Sequence, residues 1–199
     1  GLKRYVYGRS EPDDDPVHLN DVQPVTETGK YWQEGDLFLS LRSQSLLVLY
    51  RPKTNKILWS KEGPWLHQHD VDLLDDHRIS VFNNNSLEMT PERVVDGHSN
   101  IMVFNFDTGE VTQPWDAALA AQNLRSETEG LHRIRKNGDL FVEEQNYGRI
   151  LDLSSTGELV WDYVNRAKDG FVYRVGWSTL LEPQEGAGIA KILAARKCP

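Results

Sequence analysis

The stretch WLHQHDVDLLDDHRISVFNNN, residues 65–85, combines strand-like apolar patterning with an unusual density of polar side chains. If residues 67–73 are extended, successive side chains alternate between the two faces of a sheet, so His67 and His69 share one face. The pattern therefore predicts a polar site built on a β-sheet.

The head of this stretch has a counterpart upstream. When His18-Leu-Asn-Asp-Val is aligned with residues 67–71, His18 matches His67 and Asn20 matches His69. Such a match predicts two equivalent strands in a repeated unit.

A longer repeat runs through most of the chain. Short apolar segments separated by turns end in tryptophans at positions 59, 115 and 161, at intervals of 56 and 46 residues. The sequence Gly-Asp-Leu-Phe begins at both Gly35 and Gly138. Units of this length with four short strands each are typical of β-propeller blades.

We therefore predict an all-β, β-propeller-like fold in one domain over residues 1–199. It would have about four consecutive four-stranded antiparallel blades, three complete and one partial. The predicted segments are a linker or partial strand at 1–16 and blades at approximately 17–61, 66–116, 129–163 and 171–199. An open arc would leave apolar faces uncovered, so we expect either tight closure or a homodimer paired through the end blades.

Two segments depart from the strand pattern. Residues 117–125 are rich in alanine and follow Pro114, which predicts one short helix, and the Ala/Lys-rich end also has some helical character. Residues 86–99 are polar and contain Pro91 and Gly97, which predicts a long surface loop.

Composition narrows the classes of partner. The net charge is −8 and Lys and Arg do not cluster, which disfavours nucleic acid as a partner. No apolar run is long enough to cross a membrane, and residues 1–20 lack the apolar core of a signal peptide. The single cysteine, Cys198, excludes an internal disulfide and a cysteine-rich metal site.

In a propeller, the first residues of each innermost strand lie near the mouth of the central channel. In this chain the residues at those strand heads are polar, and together with Arg42 they form a donor-rich cluster that would suit an oxyanion. Alternatively, they satisfy one another around a wet channel, as in a binding module without catalysis. The candidates at the strand heads are His18, Asn20, His67, His69, Glu129, Tyr173 and Arg174.

The chain resembles the arylsulfate sulfotransferases, PAPS-independent propeller enzymes that move a sulfuryl group between phenols. The resemblance implies a six-bladed propeller, of which this chain would form a part, and a periplasmic or extracellular location. It rests on four short motifs in the order His18-x-Asn20, Ser40-x-Arg42, Gln68-His69 and Phe82-Asn83-Asn84.

The same resemblance implies roles for these residues. His69 would be the nucleophile and become transiently sulfated, while His18, Asn20 and Arg42 would hold the sulfuryl oxygens and help the phenolate leave. Such a mechanism requires no metal or diffusible cofactor. The ligand would be a small aryl sulfate, a phenol or another anion, bound with the help of His67, Asn84, Glu129 and Arg174.

Two other functions stay open. His67-x-His69 invites comparison with the His-x-His-x-Asp-His motif of metallo-hydrolases. The register differs, because Val71 stands where that motif has Asp and Asp72 where it has His. The other is a non-catalytic propeller that binds a ligand or a protein over its channel mouth.

Overall fold

The computed structural model describes residues 15–89, 92–181 and 183–196. Most of the predicted linker at 1–16, and Cys198, lie outside these ranges. The first sheet is antiparallel, with its strands in sequence order. Its strands are β1 (Leu19–Pro24), β2 (Leu37–Leu41), β3 (Leu46–Arg51) and β4 (Lys56–Glu62).

Two further four-stranded antiparallel sheets follow, and a two-stranded hairpin is inserted into the first of them. The second sheet contains β5 (His69–Leu73), β6 (Arg78–Asn83), β9 (Asn100–Asn105) and β10 (Val111–Thr112). The inserted hairpin consists of β7 (Ser86–Met89) and β8 (Glu92–Val95). The third sheet contains β11 (Leu131–Ile134), β12 (Leu140–Glu144), β13 (Arg149–Leu153) and β14 (Leu159–Val164). The second sheet has the order β10-β9-β6-β5, and the third the order β11-β12-β13-β14. The three complete blades of the predicted all-β, propeller-like fold are thereby confirmed.

The secondary structure differs from the predictions in two places. The predicted loop at 86–99 contains the hairpin β7–β8, because residues 86–89 and 92–95 pair with each other. The predicted fourth unit contributes one isolated bridge, Val172 with Arg166, and then the helix α2 (Pro183–Ala195). Proline at the first helical position and the alanines that follow favour a helix there.

The predicted helix after the second blade is present as α1 (Asp116–Ala121), with Leu119 buried. Neither α1 nor α2 has the length and apolar character needed to cross a bilayer, and no other helix among the described residues does.

Apolar side chains fill the spaces between neighbouring sheets. One cluster, which includes Phe38 and Val81, joins the first sheet to the second, and another, which includes Phe82 and Leu140, joins the second to the third. Each large side chain buried in this way contributes roughly 1.5–3 kcal/mol. The exposure of the closing tryptophans reflects this packing. Trp115 is 7% exposed because it lies between two sheets, whereas Trp161 is 49% exposed because it lies on the outer strand of the third sheet.

The outer strand of the third sheet is exposed along its whole length, including Trp161 and Tyr163. The homodimer through end blades stays a prediction, and so does a larger closed propeller.

The innermost strands of neighbouring sheets are joined by a repeated contact. Asp21 Oδ2 accepts the Val71 N–H at 2.8 Å, and Asp70 Oδ2 accepts the His132 N–H at 2.6 Å. Asp21 and Asp70 are equivalent in the alignment of residues 18–22 with 67–71. These contacts set the heads of β1, β5 and β11 side by side, which is where the candidate site lies.

Candidate functional site

A pocket of about 580 Å³ opens at the heads of the innermost strands. Its wall includes six of the nine residues that the sequence nominated, which lie in or next to strands of the three sheets and in the segment after β14. These six are His18, Asn20, Arg42, His69, Glu129 and Arg174.

Local backbone geometry brings His18 and Arg42 together. His18 adopts a left-handed conformation with φ of 48° just before β1, and its carbonyl accepts the Arg42 N–H at 2.9 Å. Arg42 begins a 3₁₀ turn after β2, which ends at Ser45 in the left-handed conformation. The turn therefore delivers Arg42 to the wall of the pocket beside His18.

The His69 imidazole is oriented by Asn84. His69 Nδ1 lies 2.7 Å from Asn84 Oδ1. The Asn84 amide nitrogen donates to the carbonyls of Ser126 at 2.7 Å and Glu129 at 2.8 Å, so its oxygen must face the histidine. His69 Nδ1 is therefore the protonated nitrogen, and the lone pair of the neutral ring lies on Nε2.

The surroundings keep His69 neutral. The pKa of His69 is lowered to about 4, chiefly by burial and also by the positive charges of Arg42 and His18, against the opposing effect of its hydrogen bond to Asn84. At neutral pH the ring is therefore an unprotonated base and a potential nucleophile.

Cationic and amide groups surround this ring. Arg42 is 2% exposed, so its guanidinium places positive charge inside the wall. Asn20 Nδ2 donates one hydrogen to the Gln68 carbonyl at 2.7 Å, which leaves its second hydrogen for a ligand. Such groups favour an anion with several oxygens.

Two ion pairs lie at the edge of the pocket. His18 Nδ1 is 3.1 Å from Asp15 Oδ2, and Arg174 Nη1 is 3.8 Å from Glu129 Oε1. Asp70 also lines the pocket, so carboxylate acceptors accompany the donors of the cluster.

The structure does not bring His67, Asn84 or Tyr173 to the pocket wall. His67 is 2% exposed, with Nδ1 3.2 Å from Ser86 Oγ, and Asn84 is fully buried behind His69. The alternation assumed for residues 67–73 fails because His67 and Asp70 have φ of 51° and 48° and a β-bulge interrupts the ladder between His69 and Val71.

The sequence reasoning overlooked Gln145, which lines the pocket from the third sheet. It begins the 3₁₀ turn after β12 that ends at Gly148 in the left-handed conformation, as Arg42 does after β2. The repeated Gly-Asp-Leu-Phe could have revealed it, because Gln145 follows Gly138 at the distance at which Arg42 follows Gly35.

Trp177, also overlooked, brings an exposed indole to the pocket. Its backbone N–H and that of Ser178 donate to the carboxylate of Glu143, at 3.0 and 2.7 Å, and Glu143 is fully buried. Asn165 Nδ2 holds the same segment by donating to the carbonyls of Tyr173 and Arg174. No local sequence signal indicates these contacts, since Glu143 and Trp177 are 34 residues apart.

The metallo-hydrolase motif does not assemble. Within residues 15–89, 92–181 and 183–196, the groups that could hold a metal are Asp70 with Asp72 and His132, and Asp75 with Asp76 and His77. Neither group contains His67 or His69.

The sheets and the pocket define a propeller-type protein with a histidine- and arginine-containing pocket at the heads of its innermost strands. The family model of the arylsulfotransferases (ASST) matches residues 5–166, and the chain belongs to that family. No curated protein matches the chain.

Solved structures give weaker similarities. A protein of unknown function from Bacteroides caccae is 14% identical, with a TM-score of 0.48 over 68% of this chain and 47% of that one. The WD40 β-propeller domain of Doa1 is 14% identical, with a TM-score of 0.47 over 77% and 46%. Apo AztD from Citrobacter koseri is 13% identical, with a TM-score of 0.39 over 74% and 35%. The chain thus spans less than half the length of these structures.

Proposed function

We propose that this chain transfers a sulfuryl group from an aryl sulfate to a phenol through a sulfohistidine at His69. The observation that carries the proposal is the pairing of His69 Nδ1 with Asn84 Oδ1, which leaves the lone pair on Nε2 in a ring whose pKa is lowered to about 4. A neutral imidazole beside the buried Arg42 has the properties of a nucleophile for an anionic sulfur centre.

In the first step, His69 Nε2 attacks sulfur, the N–S bond forms and the S–O bond to the aryl group breaks. The departing phenolate takes a proton from His18, whose imidazole is paired with Asp15. Arg42 and the free hydrogen of Asn20 stabilise the negative charge on the sulfuryl oxygens.

In the second step, the hydroxyl of the acceptor phenol gives its proton to His18, and its oxygen attacks sulfur. The N–S bond breaks, and the electron pair returns to His69 Nε2. Splitting one displacement into two in this way is the general advantage of covalent catalysis.

Trp177 supplies a surface for the aryl group. Its indole is 71% exposed and shares the pocket with His69. Offset stacking of an aromatic ring on such a surface contributes about 0.5–1.5 kcal/mol.

The test is incubation of the protein with 4-nitrophenyl sulfate, with release of nitrophenolate followed by absorbance. Mass spectrometry after a mild alkaline quench should find one added SO3 on the peptide that contains His69. His69→Asn should abolish both signals. His77→Asn is the matched control, because His77 pairs with Asp75 and Asp76 outside the pocket and should leave both unchanged.

A second candidate function is anion binding without transfer. The pairs of His18 with Asp15 and Arg174 with Glu129 favour it, since these groups already satisfy one another without a substrate. In that case, calorimetry would detect binding of 4-nitrophenyl sulfate while neither nitrophenolate nor a sulfated peptide formed.

A further inference from the structure

A second group of titratable side chains lies between β5 and β11. It consists of Asp70, Asp72 and His132, whose potential ligand atoms all lie within 4.8 Å of one another. His132 is fully buried and Asp72 is 3% exposed. The sulfuryl transfer proposed above uses neither Asp72 nor His132.

Within the described residues, a buried carboxylate oxygen of this group has no hydrogen-bond partner. His132 Nδ1 pairs with Asp70 Oδ2 at 2.7 Å. Asp72 Oδ1 pairs with Arg133 Nη1 at 2.6 Å, while Asp72 Oδ2 is buried and has no hydrogen-bond partner. Because buried polar atoms are nearly always satisfied, this open carboxylate oxygen beside the pair of His132 and Asp70 indicates a missing partner.

The charges of the ligand set favour a positively charged partner. Asp70 and Asp72 bring two carboxylates, and Arg133 Nη1 pairs with Asp72 Oδ1. With His132 neutral, as metal binding requires, these carboxylates carry one more negative charge than Arg133 offsets.

We propose that Asp70, Asp72 and His132 bind one divalent metal ion of the zinc class. An imidazole nitrogen with two carboxylates suits zinc, whereas magnesium and calcium prefer oxygen ligands alone. Ligand distances of about 2.0–2.2 Å require only small side-chain movements to draw these atoms around one ion.

The second nitrogen of the histidine fits this role. His132 Nε2 lies 2.7 Å from Ser80 Oγ. Donation of its N–H to that hydroxyl leaves the Nδ1 lone pair for the metal, an arrangement common among metal-bound histidines. Asp72 and Arg133 also line a separate pocket of about 310 Å³, which gives an ion a route from solvent.

Bound there, the ion would join the innermost strands of the second and third sheets next to His69. It is assigned a structural role, so the proposal does not depend on sulfuryl transfer. Zinc binding can be measured with no aryl sulfate present, and either proposal can therefore fail while the other stands.

The test starts from the whole chain, freed of metal with EDTA and dialysed. Titration with zinc chloride in a calorimeter should show one tight equivalent per chain, and zinc should raise the melting temperature because it binds the folded state. Asp72→Asn should weaken the affinity at least tenfold and remove the thermal shift. Asp76→Asn is the control, because it alters the half-exposed group of Asp75, Asp76 and His77 and should change neither.

Equal zinc binding by Asp72→Asn and the parent protein, or loss of binding in Asp76→Asn, would overturn the assignment, as would an absence of tight binding. Should Asp72→Asn fail to fold by circular dichroism, X-ray absorption at the zinc edge of the loaded parent protein decides the question. One imidazole nitrogen among oxygen ligands supports the site, while oxygen ligands alone or several imidazoles overturn it.

Discussion

Asn84 holds the His69 ring from behind, with Oδ1 2.7 Å from Nδ1, while its own amide nitrogen donates to two carbonyls that precede β11. The second and third sheets thus jointly determine which nitrogen of His69 carries the proton. Loss of such an orienting partner typically costs 10–100-fold in metal affinity or activity at histidine sites of related geometry.

We predict that Asn84→Ala lowers kcat/KM for 4-nitrophenyl sulfate by about 10–100-fold. The substitution also destabilises the fold, because two buried carbonyls lose their donor. Asn83→Ala is the matched control, since Asn83 is 1% exposed and bonds to Leu66 and Asn100 without contacting His69. If both variants lose activity in proportion to their stability in urea, Asn84 has no orienting role.

The pH dependence of the first half-reaction should reflect the low pKa of His69. An ordinary histidine has a pKa of ~6.5, whereas that of His69 is lowered to about 4. The acid limb of the nitrophenolate burst should therefore lie near pH 4, where His69 becomes protonated. A decline centred near pH 6.5 would contradict the environment described for His69.

The same pKa shift predicts a direction for Arg42→Gln. The positive charge of Arg42 lowers the pKa of His69, so its removal should move the acid limb to higher pH and weaken binding of the anion. The measurement is the pH profile of single-turnover burst amplitudes. An unshifted limb would show that the guanidinium does not influence the imidazole.

Trp177→Ala should raise KM for aryl sulfates by about 2–10-fold with little change in kcat, because stacking contributes about 0.5–1.5 kcal/mol to binding. Trp177→Phe should restore most of the affinity. Trp161→Ala changes an exposed tryptophan of β14 outside the pocket and serves as the control. A fall in kcat alone would show that Trp177 does not contribute to binding of the aryl group.

Gly148→Ala should disturb the pocket from behind. A Cβ at position 148 would clash with the Tyr173 carbonyl oxygen, in the segment that carries Arg174 and Trp177. Gly109 has a similar positive φ and nothing within 4 Å of its Cβ position. Both alanine variants should lose about 1 kcal/mol to the left-handed conformation, but only Gly148→Ala should lose more in urea denaturation and raise KM.

The blades could be predicted because alternating apolar residues and a closing tryptophan are local signals that recur. The equivalence of the heads of β1 and β5 could be predicted for the same reason. The repeat also predicted that His18, Arg42 and His69 share one pocket. His67 could not be placed, since the left-handed residues and the bulge that turn it away depend on contacts with Ser86 and neighbouring strands. Trp177 depends on a buried carboxylate far away in sequence.

The extra residue in β5 has a consequence for how this protein tolerates change. His69 lies opposite Phe82 and Val71 opposite Val81, so Asp70 has no partner of its own in the ladder, and both His69 and Asp70 reach the interior of the arc. Deletion of one residue there would shift the register of the strand by one. Inward-facing and outward-facing side chains would then exchange places on one side of the deletion. The length of the chain at that point is therefore fixed, because the functions proposed for His69 and Asp70 lie on either side of a single peptide bond.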